Sequence, residues 1–135
     1  MSAHRCLAFI AMLWSVVASA DSVDGTAPLE CAAVHGHDCL PDKTTCSPLK
    51  PATKIEPVLR IDFAKGEVRS PFRTELLRVT HSTATNESLI LQGGEERGFA
   101  WSALVKKKDG AFTVSIADRE GAYVVFGTCK AAKTS

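Results

Sequence analysis

From Leu59 onward, large apolar residues fall repeatedly on alternate positions, and this period of two constrains the fold more than any other feature. In Leu59-Arg60-Ile61-Asp62-Phe63 the apolar members share one face and the charged members the other. Phe99, Trp101, Ala103 and Val105 repeat the pattern, as do Phe112, Val114 and Ile116. A strand turns successive side chains to opposite faces, whereas a helix needs spacings of three and four to bury one stripe. No stripe of helical period occurs outside the first twenty residues.

Turn signals separate these runs. Ala64-Lys65-Gly66 reads as a turn, with Glu67-Val68-Arg69 returning. Glu75 to Thr80 places Leu77 and Val79 together, and Asn86-Glu87 divides that segment from Leu89-Ile90-Leu91. Gly93-Gly94 and Gly98 punctuate the next connection. Asp109-Gly110 predicts a type I′ hairpin, a turn that wants positive φ at both central residues. Glu120-Gly121 turns into Ala122–Cys129, apolar on both faces and expected at the centre of a sheet. Strands recur about every ten residues, which predicts an all-β domain. The expectation is a single small antiparallel barrel or sandwich of seven to eight strands.

Residues 1–20 read as a signal peptide. His4 and Arg5 precede an apolar run from Cys6 to Ala18, and Ala18-Ser19-Ala20 supplies the small residues a signal peptidase accepts. The run is too short to cross a bilayer comfortably, so no transmembrane segment is expected after cleavage. The expected home is the periplasm or the extracellular space. Residues 21–28 read as a flexible tether and 29–135 as the β domain. Leu29 to His35 is a short strand, and 36–54, with Pro41, Pro48 and Pro51, a disulfide-bounded loop region.

Cleavage after Ala20 removes Cys6 and leaves Cys31, Cys39, Cys46 and Cys129. Four cysteines in an oxidising compartment make two bridges, with three possible connectivities. The polar turn Leu40–Thr45 favours Cys39–Cys46, and Cys31–Cys129 then ties the first ordered segment to the last strand. The long ring contributes about 4.7 kcal/mol in the loop-entropy picture and the short one about 2.5 kcal/mol.

Composition excludes several functions. Without Arg5 the chain carries fifteen basic and fifteen acidic residues, so it has no basic face for nucleic acid. Gly93-Gly94-Glu95-Glu96-Arg97-Gly98 lacks the Lys-Ser/Thr ending of a phosphate loop. No Gly-x-Ser-x-Gly elbow is present, and His81 beside Ser82 and Thr83 reads as a strand histidine. Arg60, Arg69, Arg73, Arg78, Arg97 and Arg119 are scattered and read as cross-strand partners of Asp and Glu. His35-Gly36-His37-Asp38-Cys39, with Cys46, offers a zinc-like donor set; with the cysteines bridged, His35, His37 and Asp38 remain as at best a weak surface site for copper or zinc. Phe99, Trp101, Phe112 and Phe126 read as core or, alternatively, as the lining of a cavity. Asn86-Glu87-Ser88 fits a glycosylation sequon, relevant only in a eukaryotic secretory pathway.

The segment SPFRTELLRV…ESLILQGGEERGFAWSALVKKKDGAFTVSIADREGAYVVFGTC resembles small exported proteins of alphaproteobacteria that have no assigned activity. A strand ending in LILQG, a Trp strand, a hairpin and a closing VVFG-x-C carry the likeness, over roughly residues 55–129. It implies a periplasmic or secreted home and transfers no catalytic residue. The layout of signal peptide, small β-barrel and end-to-end disulfide is also similar to periplasmic inhibitors of c-type lysozyme. That family's inhibitory loop motif is not placed on this sequence. The chain is therefore expected to be a monomeric, non-enzymatic exported module without a cofactor. It would bind a protein or an envelope component through its loops. A small-ligand carrier and a metal-binding module at His35 and His37 are the alternatives.

Overall fold

The computed structural model describes residues 22–49, 58–71, 76–96 and 98–133. Residues 1–20, read above as a signal peptide, Asp21, residues 50–54 of the loop region, Arg73, Glu75 and Arg97 lie outside the described residues. Every regular element among the described residues is a strand: β1 (Leu29–Cys39), β2 (Ser47–Pro48), β3 (Val58–Asp62), β4 (Glu67–Arg69) and β5 (Leu76–Arg78), followed by β6 (His81–Ala84), β7 (Ser88–Glu95), β8 (Phe99–Lys106), β9 (Ala111–Ala117) and β10 (Ala122–Ala131).

All the strands pair antiparallel along one path, β5-β4-β3-β1-β10-β9-β8-β7-β6, with β2 added beside β1. The two ends of that path are adjacent in sequence. Only Val79 and Thr80 separate β5 from β6. The Val79 N–H donates to the Gly66 carbonyl at 2.9 Å, and the Thr80 N–H donates to the Gln92 carbonyl at 2.8 Å. One continuous segment thus leaves β4 and joins β7, and the sheet curls back on itself. The path stays open between β5 and β6, but these edge strands are only three and four residues long, and short edges offer little unpaired backbone to other chains.

Alternation fills the concave side. On β8, Phe99, Trp101, Ala103 and Val105 are buried, and Ala100, Leu104 and Lys106 are exposed. Leu59 and Ile61 on β3, Leu89 and Leu91 on β7, Phe112 and Val114 on β9 and Val125 on β10 meet them in one core. Fully burying a side chain of this kind contributes roughly 1.5–3 kcal/mol. Cys31 and Cys129 are directly opposed on β1 and β10, both buried, and bonded to each other. Cys39 and Cys46 form the second bridge. Both pairings are those favoured from the sequence.

Four local expectations need correction. β1 does not stop at His35; β10 is long enough to pair it through to Cys39, opposite Ala122, with a bulge between Ala33 and His35 absorbing the twist. The loop region therefore begins after Cys39, not at Gly36. Ser22–Pro28 is docked rather than free, since Val23 is buried in the core and the Ala132 N–H donates to the Pro28 carbonyl at 2.8 Å. Gly93 and Gly94 belong to β7 rather than to a connection. A side chain at Gly93 would run into the Trp101 indole and the Arg78 carbonyl, so the glycine is there to let the ring lie across the strand. The β8–β9 turn, finally, is not type I′. It spans Lys107–Gly110, and only Gly110 has positive φ, at 71°. The Gly110 N–H donates to the Lys106 carbonyl at 2.9 Å. Four-residue connections of this kind place one left-handed residue at the end of the turn.

Candidate functional site at one mouth of the curled sheet

Antiparallel pairing sorts the connections to two ends. The 63–66, 85–87 and 107–110 turns lie at one end, with the described N- and C-terminal residues. The disulfide loop 40–46, the end of β4 and start of β5, the β7–β8 connection and the 118–121 turn lie at the other. An open pocket of about 260 Å³ occupies this second mouth. Its walls are apolar, from Leu49, Leu77, Phe99, Ile116 and Val125, and its polar groups come from Ser70, Asp118 and Tyr123. Leu49 reaches it because its N–H donates to the Gly36 carbonyl at 2.8 Å, which lays the chain after β2 across β1.

Beneath the mouth the interior is packed. A second, smaller void of about 30 Å³ lies among Trp101, Val114, Val125 and their neighbours. That is close to the space one water takes. Of the four aromatic residues, Phe99 lines the mouth and Trp101 the void beneath it. Phe99, Trp101 and Phe112 are core residues, and Phe126 faces outward from β10, where its ring stacks on His35 with centroids 5.0 Å apart.

Two carboxylates stand at the mouth. Asp118 organises the turn: its Oδ1 accepts from the Glu120 N–H at 2.8 Å and the Gly121 N–H at 3.0 Å. Asp38 is opposite Tyr123 in the β1–β10 register. Its Oδ1 is buried without a hydrogen-bond partner, the only such side-chain atom found among the described residues. A buried acceptor without a donor costs about 1–3 kcal/mol, so Asp38 is the least satisfied group of the mouth.

The His–Cys cluster does not assemble. His35 and His37 are exposed on the outer face of β1, Asp38 turns to the opposite face, and Cys39 is tied to Cys46. Among the described residues no three His, Cys, Asp or Glu side chains gather as a metal site. His81 is exposed on β6 and shares a 3.1 Å hydrogen bond with Thr83. Glu30 and Arg60 form a cross-strand ion pair at 3.0 Å, the type expected for the scattered arginines. Asn86 is exposed in the β6–β7 turn.

Sequence reasoning missed Leu49, Ser70, Asp118 and Tyr123, the residues that shape the mouth. The signal that could have found them is their place at strand ends, since antiparallel order sends alternate connections to the same end. No helix among the described residues is long and apolar enough to cross a membrane. No protein-family model, curated protein or solved structure matches the chain.

Proposed function

We propose that this protein is an exported, non-enzymatic binding module that engages a protein or envelope component through the loops of the Cys39–Cys46 mouth. The observation that carries this reading is the mouth itself: an apolar pocket with a polar rim, beside a disulfide-bounded loop. A partner side chain can bury against Leu49, Leu77 and Ile116, and partner polar groups can meet the rim groups Ser70 and Asp118. Recognition sites combine apolar burial with a few placed polar groups in this way. Two disulfides place the working chain in an oxidising, non-cytoplasmic compartment. The leader-like residues 1–20 support export to the periplasm or beyond it.

The test is capture of binding partners from the native envelope fraction by the processed chain. Leu49→Asp should abolish capture, and Asn86→Asp, at the opposite end, should leave it intact. Equal capture by both variants would remove the mouth from consideration. The layout shared with inhibitors of c-type lysozyme makes such a lysozyme the first purified partner to try.

A further inference from the structure

We propose that His35 and His37 form a two-imidazole chelate for copper(II) on the outer face of β1, a site separate from the mouth. Residues two apart on a strand share a face, and both histidines are exposed there. The bulge between Ala33 and His35 sets which residue His35 meets: it stands opposite Phe126, whose ring stacks on the imidazole at an interplanar angle of 23°. One ligand is thereby held in orientation before any metal arrives. The His37 ring lies edge-on to it with centroids 6.3 Å apart. Metal–nitrogen bonds near 2.0 Å would bring two neighbouring ligand rings to about 4.5–5 Å between centroids. Rotation of the exposed His37 side chain covers that difference.

The surroundings suit a cation. The register partners of the two histidines are Phe126 and Val124 on β10 and Pro48 on β2. None of the three carries a charge to repel a metal ion or to compete for it. Two imidazoles leave the remaining positions to water, which copper(II) accepts in a tetragonal arrangement, whereas structural zinc sites are closed by four protein ligands. Copper(II) also stands highest among the divalent first-row ions for nitrogen ligands. The nearby Cys39 is bridged, so no thiolate draws the site toward soft-metal chemistry.

Copper(II) chloride titrated into the disulfide-intact processed chain at neutral pH, followed by calorimetry and electron paramagnetic resonance, tests the proposal. The expected result is one ion per chain with hyperfine coupling to two imidazole nitrogens. His35→Gln and His37→Gln should each weaken binding roughly 10-fold or more and leave one coupled nitrogen, because the second ligand acts at high effective concentration. Both substitutions fall on exposed side chains, and unchanged circular dichroism would confirm the fold. His81→Gln should bind as the parent does. Coupling to a single nitrogen in the parent chain, or loss of binding in His81→Gln but not in the β1 variants, would overturn the assignment. Either result leaves the mouth reading untouched.

Discussion

Asp24 shows how much one half-buried residue can organise. Its carboxylate accepts from the Thr26 hydroxyl at 2.6 Å, the Thr26 N–H at 2.9 Å and the Ser22 hydroxyl at 3.0 Å. These bonds, the Thr26 hydroxyl foremost, hold its pKa at about 2 against an ordinary 3.8. A carboxyl whose folded pKa is depressed favours the folded chain above its unfolded pKa, and the contribution fades as pH falls through the folded value. Carbon-detected NMR titration should therefore place the Asp24 midpoint near 2. The stability gap between the parent and Asp24→Asn should be present at pH 5 and close as pH falls from about 3.8 to about 2. A midpoint near 3.8 would mean the turn is not formed in solution. The sequence shows Ser22, Asp24 and Thr26 plainly, yet their convergence depends on Val23 being anchored in the core beside them.

Among the elements, β8 carries the most specific packing. Trp101 stands opposite Gly93 on β7 and Ile116 on β9, with its indole laid across the space that Gly93 leaves open. Trp101 is the only tryptophan of residues 21–135, so a chain starting at Asp21 reports on it alone. Its emission should lie at short wavelength and resist aqueous quenchers. Trp101→Ala should destabilise the fold by about 3–5 kcal/mol through lost burial and the cavity left behind, as read by denaturant unfolding. Red-shifted, readily quenched emission with little loss of stability would instead describe an open aromatic platform. Alternation alone identified this strand and its buried face. It did not identify the cross-strand partner, because register is set by the neighbouring strands and their turns.

On the scale of the whole molecule, Cys31–Cys129 closes a loop of 98 residues in sequence and Cys39–Cys46 one of 7. The larger ring restricts the unfolded chain more, by about 4.7 against about 2.5 kcal/mol in the loop-entropy picture. Replacing Cys31 and Cys129 together by Ala should lower the unfolding midpoint more than replacing Cys39 and Cys46 together. The reverse order would assign the main staple to the loop. Intact mass should show the exported product beginning at Asp21 and weighing about 4 Da less than its reduced form, since each bridge removes two hydrogens. A free-thiol content near four in protein purified without reductant would contradict that state.

Periodicity in the sequence marked most of the strands and their buried faces, though not the full length of β1 or the place of Gly93 and Gly94 in β7, and loop chemistry favoured the observed one of three cysteine pairings. Those properties depend on periodicity and short-range chemistry, which a chain carries locally. Tertiary structure decided where the strand ends meet. Leu49, Ser70 and the Asp118–Tyr123 turn region lie far apart along the chain and share no spacing that marks them as neighbours. They converge because the segment Leu76–Ala84 passes from β4 to β7 and curls the sheet, and because β10 extends β1 to Cys39. The same long pairing turned His35 and His37 outward, separated them from Asp38 and set Phe126 beside His35. A mouth or a chelate is a property of register and closure, and both are settled only when every strand has found its neighbour.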